Sequence, residues 1–131
     1  MGIPAAKKGD MIIATDIHIV MIPSPGGPVP TPLPHPFMGQ LDDALSDDVN
    51  IDGQPAAVVG SKATNTPSHI PQGGPFQTPP KDKGEVMIGS ATVFINGKAA
   101  ARSGDSATTC NDPADMPVGT VMVPMSTVNI G

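Results

Sequence analysis

Residues 93–105 read VFINGKAAARSGD, and this stretch decides the fold. Residues 93–95 alternate as a short β-strand does, and the Asn-Gly pair that follows favours a two-residue type I′ turn, because both positions accept a positive φ. The alanine-rich run is then the return strand, where small side chains let other backbones approach closely. Gly104 allows the chain to turn away from the sheet. The stretch therefore predicts a tight hairpin that ends against other parts of the chain.

The same pattern occurs three times in the chain. Three small residues, two spacers, a glycine and then Asp or Ser are found at residues 4–10, 55–61 and 99–105. The second and third copies match over a longer stretch, in which Asp52-Gly53 takes the place of Asn96-Gly97. Such repetition indicates one supersecondary unit that is used several times.

The remaining segments predict further strands and loops. Residues 11–22 alternate, with Asp16 and His18 on one face of a predicted strand. Residues 120–130 predict one or two strands, broken at Pro124. The proline-rich residues 23–36 and 66–83 are predicted loops, and residues 41–48 are the one candidate for a helical turn.

Composition favours one all-β domain, which we expect to take up residues 1–131 without an extension. The 17 prolines and 15 glycines separate short apolar runs, which is typical of many short strands and turns. The chain has no Trp or Tyr and three Phe, so the core is small, and small domains need a disulfide, a metal or a partner. A single cysteine cannot form an internal disulfide, which leaves a metal or a partner.

The charge pattern excludes several classes of protein. The net charge is −5 and the chain has one arginine, so it lacks the basic stripe of a nucleic-acid-binding protein.

No apolar run reaches the roughly 20 residues that span a bilayer. Asp16 and His18 interrupt the first apolar segment, which makes it a poor signal peptide. We therefore expect a protein made in the cytoplasm that leaves the cell by a route independent of such a signal.

Four side chains form a candidate metal site, and they are every histidine and cysteine of the chain: His18, His35, His69 and Cys110. His18 and His69 each lie nine residues after the glycine of a repeat, whereas Cys110 lies six residues after Gly104. Three imidazoles and one thiolate make a closed tetrahedral set, typical of structural zinc. Iron, nickel and copper also bind imidazole. A set of unrelated surface histidines and one buried cysteine is the alternative that spacing leaves open.

A closed ligand set also predicts a protein that is not an enzyme. Catalytic zinc keeps an open coordination position, and here the protein supplies the fourth ligand. Asp16 shares a strand face with His18 and is suited to orienting an imidazole as an outer partner of the metal. A nucleophilic pair of Cys110 with a histidine is the catalytic alternative.

Residues 55–57 and 100–102 together resemble the Pro-Ala-Ala-Arg repeat of the PAAR proteins, and the resemblance extends over residues 3–131. Each copy departs from the motif, with Lys7 in the first, Val58 in the second and Ala99 in the third. A repeated functional role for the arginine is therefore not expected.

The resemblance implies a fold and a role. PAAR proteins form the tip of the spike in type VI secretion and related contractile injection systems. The implied fold is a cone of short strands and hairpins with pseudo-threefold symmetry, a base that caps a trimeric VgrG-like spike protein, one chain per trimer, and zinc near the apex. The implied zinc ligands are His18, His35, His69 and Cys110.

The implied tip pierces a target membrane, recruits effector proteins without covalent linkage, and leaves the bacterial cytoplasm with the spike for the extracellular space or a target cell. Two other functions stay open at this point. One is a small zinc-dependent hydrolase, and the other is an adaptor module that binds a toxin.

Overall fold

The structure of the chain is a computed structural model that describes residues 2–131. Within this range the chain forms strands, turns and loops and no helix, so the predicted all-β class is confirmed. The strands are β1 (Ile3–Pro4), β2 (Met11–Ile22), β3 (Val29–Asp43), β4 (Asn50–Ile51), β5 (Gln54–Pro55), β6 (Lys62–Asn65), β7 (Lys83–Val86), β8 (Phe94–Ile95), β9 (Lys98–Ala99), β10 (Ser106–Thr109), β11 (Met116–Met122) and β12 (Asn129–Ile130). Residues 2–131 accordingly offer no helix of the length and hydropathy that a membrane span requires.

Three antiparallel hairpins, β2–β3, β6–β7 and β10–β11, make up a closed barrel. Its strand order is β10-β11-β2-β3-β6-β7, and β7 pairs with β10 to close it. Three smaller two-stranded sheets lie outside the barrel: β4–β5, β8–β9 and β1–β12. The last of these joins distant parts of the chain, because Ile3 pairs with Ile130. Residues 2–131 therefore contain three large hairpins and three small two-stranded sheets, in keeping with three repeats.

The two predicted hairpin turns are present. Asn96 and Gly97 have φ values of 54° and 80°, and Asp52 and Gly53 have φ values of 51° and 79°. Two successive positive φ angles are the signature of a type I′ turn, which matches the twist of the flanking strands.

A ring of three hydrogen bonds joins the three repeats. The amide of Ala6 donates to the carbonyl of Ala101 at 2.9 Å, that of Ala101 to Ala57 at 3.0 Å, and that of Ala57 to Ala6 at 3.0 Å. All three alanines are buried. A cyclic ring places the repeats around a common pseudo-threefold axis, and the small side chains are what allows the backbones to meet there. The cone shape of the whole stays a prediction.

The strand predicted over residues 11–22 is confirmed with the same bounds. Its inward face holds four fully or almost fully buried side chains, Ile12, Asp16, His18 and Val20. The other face is exposed or half-buried. The alternation therefore identified both the strand and the face that points into the molecule.

Two local predictions are wrong. Residues 41–48 contain no helical turn, because Leu41 pairs with Ala63 at the end of β3. The loop predicted over residues 23–36 is a strand from Val29 onward, and β3 pairs with β2 through Gln40.

The prolines of β3 explain why the second prediction failed. They occupy alternate positions, Pro30, Pro32, Pro34 and Pro36, and all four are exposed. The residues between them supply the backbone N–H groups that pair with β2. The positions without an N–H group, which are the prolines, therefore face away from β2. On that side β6 pairs only with the later part of β3. Prolines confined to a free edge are compatible with a strand and prevent further pairing there.

Two apolar cores support the architecture. The barrel encloses Phe37, which is fully buried against Ile12 and Leu41 in one cluster. The second cluster lies among the three small two-stranded sheets, where Ile51, Ile95 and Ile130 occupy matching positions of β4, β8 and β12. The long β2–β3 hairpin extends past the barrel core, and its inward side chains there include the polar residues Asp16, His18 and His35.

Candidate metal centre

The β2–β3 hairpin supplies three polar side chains to one buried cluster. Asp16 and His18 lie on the inward face of β2, and His35 lies on the inward face of β3 directly opposite Asp16 in the register. The alternation of both strands forces this orientation, because residues two apart point to the same side. His35 is thus brought to the cluster by the proline-rich strand that sequence reasoning took for a loop.

The other two members of the cluster, His69 and Cys110, lie in segments that connect strands. His69 lies in residues 66–82, where its amide donates to Oδ1 of Asp82 at 2.9 Å. Cys110 directly follows β10. Both segments are hydrogen-bonded to the backbone of β2. Gln77 N donates to Ile19 O at 2.8 Å, and Asp112 N donates to Ile17 O at 2.8 Å. The cluster therefore joins parts of the chain that are far apart in sequence.

The donor atoms of Asp16, His18, His69 and Cys110 all lie within 4.8 Å of one another, and all four residues are buried. Nε2 of His18 is 3.6 Å from Sγ of Cys110, and Nε2 of His69 is 3.0 Å from Oδ2 of Asp16. The set has imidazole, thiolate and carboxylate donors, which first-row transition metals accept. The described residues thus contain a buried group that can hold a metal ion.

His35 stands beside this set of four. Its ring centroid is 5.6 Å from that of His18 and 5.6 Å from that of His69. Nδ1 of His35 donates to the carbonyl of Leu33 at 2.9 Å, and Nε2 is buried without a hydrogen-bond partner. Fixing of one ring nitrogen by a backbone carbonyl is how metal-binding imidazoles are commonly oriented. The assignment of His35 as a ligand stays a prediction.

His69 has a defined set of neighbours. Oδ1 of Asn65 accepts from Met38 N at 2.9 Å, so its Nδ2 faces Nδ1 of His69 at 3.2 Å and donates to it. In this arrangement the imidazole proton lies on Nε2 and is donated to Asp16. A cation bound at Nε2 would take the place of that proton.

Burial sets the ionisation of the cluster. The pKa of Cys110 is raised to about 12 by burial and then by the nearby carboxylate of Asp16. The pKa of His18 is lowered below its ordinary value of 6.5, first by burial and then by His69. Without a cation the thiol is therefore protonated and the His18 imidazole neutral at physiological pH.

The residues fit a metal ion. Nε2 of His35 is a buried nitrogen with no partner, and Nδ1 of His18 is 3.6 Å from Oδ2 of Asp112, which is longer than a hydrogen bond. Unpaired buried polar atoms are costly and rare in folded proteins, and a cation next to Nε2 of His35 would supply the missing interaction there.

Sequence reasoning missed part of this environment. Thr109 and Asn111 lie on either side of Cys110 and both contact Oδ1 of Asp16. Asp16 itself was expected as an outer partner of an imidazole, and the structure places its Oδ2 3.0 Å from Nε2 of His69, on the side where a cation would bind. Thr109 and Asn111 gave no signal, because an isolated Thr or Asn has no distinctive spacing.

Fold and site together define a class: an all-β protein of three hairpin repeats around a pseudo-threefold axis, with a buried cluster of metal-ligand type. Comparison with known families is consistent with this class. The family model for the PAAR motif matches residues 76–131, so the predicted resemblance to the PAAR-repeat proteins is confirmed over that part of the chain. The match supports a role at a spike tip of the type VI secretion kind. None of the curated proteins matches the chain.

Proposed function

We propose that this protein is the non-catalytic, zinc-stabilised tip of a membrane-piercing spike in a type VI secretion system or a related contractile injection system. The observation that carries the proposal is the hydrogen-bond ring of Ala6, Ala57 and Ala101. One chain with threefold pseudo-symmetry is suited to cap three identical subunits, and the PAAR motif at residues 76–131 belongs to proteins with this role.

The partner in this proposal is a trimeric VgrG-like spike protein, with one chain per trimer. The three small two-stranded sheets offer the surface, because exposed apolar side chains lie on their strands or directly before them: Ile3, Val49, Phe94 and Val128. Phe94 is 60% exposed. Exposed apolar patches of this kind mark protein contacts.

The zinc ligands in this proposal are His18, His35, His69 and Cys110. They come from β2, β3, the segment at residues 66–82 and the turn after β10, so one ion would link four segments beyond the barrel core. Cross-linking of this kind stabilises the folded chain where few apolar side chains are available. A tip that bears axial load benefits from such a link.

A structural role is favoured over catalysis by the state of the thiol. A nucleophilic cysteine needs an accessible thiol with a lowered pKa, whereas Cys110 is buried and its pKa in the metal-free protein is raised to about 12. In the metal-bound protein its sulfur would be occupied by zinc. We further propose that the protein is made in the bacterial cytoplasm, recruits effectors without covalent linkage, and is exported with the spike into a target cell or the medium.

The test is complex formation with the spike trimer, followed by size-exclusion chromatography. Phe94→Asp, on the small hairpins, is expected to abolish co-elution. Ile70→Asp is the matched control, because Ile70 is 67% exposed in the segment that carries His69, and it is expected to bind normally. Equal binding by both variants would contradict the proposed base.

A further inference from the structure

The two carboxylate oxygens of Asp16 have different surroundings. Oδ1 accepts from the hydroxyl of Thr109 and lies 3.4 Å from Nδ2 of Asn111. Oδ2 lies 3.0 Å from Nε2 of His69 and 3.4 Å from Sγ of Cys110. The side chain is fully buried. Oδ1 is therefore anchored by fixed donors, and Oδ2 points at the donor atoms of the metal cluster.

Both partners of Oδ2 lose their protons when a metal binds. Imidazole nitrogen and sulfur bind a cation only in their unprotonated form. Nε2 of His69 and Sγ of Cys110 then have no hydrogen to donate to Oδ2. A buried carboxylate oxygen without a donor is strongly unfavourable. Binding of Oδ2 to the same cation removes this cost.

The net charge of the metal site also favours Asp16 as a ligand. Three neutral imidazoles and one thiolate around a divalent cation leave one positive charge in a buried site. Asp112 contacts His18 from the outer side and is partly exposed, and Asp82 is engaged by the amide of His69. Asp16 is the carboxylate within the tight set of donor atoms. With it, the centre is neutral, which is the least costly state to bury.

We propose that Asp16 is a metal ligand of this protein in addition to the three histidines and the cysteine. The partnerless Nε2 of His35, buried next to the set of four, supports a fifth donor atom. The proposal rests on the metal site of the proposed function and changes its chemistry. Five protein donors exceed the four of structural zinc, so the centre also accepts iron(II) and cobalt(II), which bind imidazole and carboxylate readily.

The test uses cobalt(II) as the probe, because its visible absorption is weak with five ligands and strong with four. The full chain, loaded with cobalt, is expected to show the weak bands. Asp16→Asn is expected to intensify them and to weaken cobalt affinity by about tenfold or more. Asp112→Asn is the control, since it also removes a carboxylate near the cluster, and it is expected to keep the five-ligand spectrum.

Three results would overturn the proposal. One is a four-ligand spectrum in the unaltered chain, which needs no variant to fold. Another is an Asp16→Asn protein whose spectrum and affinity equal those of the unaltered chain; this would leave the metal centre and the spike-tip function standing. The third is an unaltered chain that takes up no cobalt or zinc, which would remove the metal centre together with the role of Asp16.

Discussion

The amide nitrogen of Ala57 lies 3.0 Å from the carbonyl oxygen of Ala6, although the two residues belong to different repeats. The bond is one side of the ring completed by Ala101, and it shows why the repeats carry alanine at this point. A larger side chain at any of the three positions would push the backbones apart.

Overpacking of the ring should therefore destabilise the whole protein. Ala57→Val is expected to lower the free energy of unfolding by about 1–3 kcal/mol, because Ala57 is a member of the ring and is buried in the barrel core. Urea unfolding followed by circular dichroism measures the change. Ala91→Val, at an exposed position, should be close to neutral. Equal effects of the two substitutions would argue against the ring as a packing constraint.

The segment at residues 66–82 should depend on a glycine that touches β2. A Cβ added to Gly74 would lie 1.9 Å from the carbonyl oxygen of Met21. Gly74→Ala is expected to shift the segment and to cost about 1–3 kcal/mol of stability. Gly26→Ala is the control, since a Cβ there meets no atom within 4 Å. Chemical denaturation distinguishes the two, and an unaffected Gly74→Ala protein would show that this contact is unimportant.

His35 is expected to matter for metal affinity. Removal of its imidazole leaves the cation with one donor fewer, so His35→Ala should weaken zinc binding by more than about tenfold. Competition with a chromophoric chelator measures the affinity. Thr31→Ala lies on the same face of β3 farther from the cluster and should bind zinc as the unaltered chain does. Unchanged affinity in His35→Ala would remove this residue from the ligand set.

Metal binding should release a proton from Cys110. Its pKa of about 12 keeps the thiol protonated in the metal-free folded protein, whereas an ordinary thiol, with a pKa of 9.0, is largely ionised by about pH 10. Binding requires the thiolate, so about one proton per chain should be released at both pH 8 and about pH 10. The proton of His69 moves to Nδ1, and the Asn65 amide, which donates to Nδ1 in the metal-free protein, must turn away.

Calorimetry in buffers of different ionisation enthalpy measures the number of protons released. Cys110→Ala should bind metal weakly without this release. A release that falls markedly between the two pH values would mean that the thiol is already ionised in the metal-free protein, and that burial does not raise its pKa.

Local patterns made much of the fold predictable from sequence. The alternation of residues 11–22 identified β2 and its buried face, and the Asp-Gly and Asn-Gly pairs identified two hairpins. The pairing of Ile3 with Ile130 could not be predicted, because β1 and β12 lie at opposite ends of the chain and no turn connects them. β3 was missed because a count of prolines does not reveal that all four lie on one edge of a strand.

The candidate site was predictable by residue type more than by arrangement. The structure brings His18, His69 and Cys110 together. Equal spacing from the repeat glycines suggested this for the two histidines, whereas Cys110 was included by residue type. The position of His35 depended on the register of β3 with β2, which the sequence does not reveal. The contacts of Asp16 with Thr109 and Asn111 depend on long-range packing between β2 and β10. No local sequence pattern predicts them.

The most direct test of the spike-tip account is native mass spectrometry of the protein mixed with its trimeric spike partner. The account predicts a single complex of one chain, three spike subunits and one bound metal ion. A complex with three chains per trimer would contradict the pseudo-threefold cap. Failure to bind a folded trimer at all would contradict the proposed role as its tip.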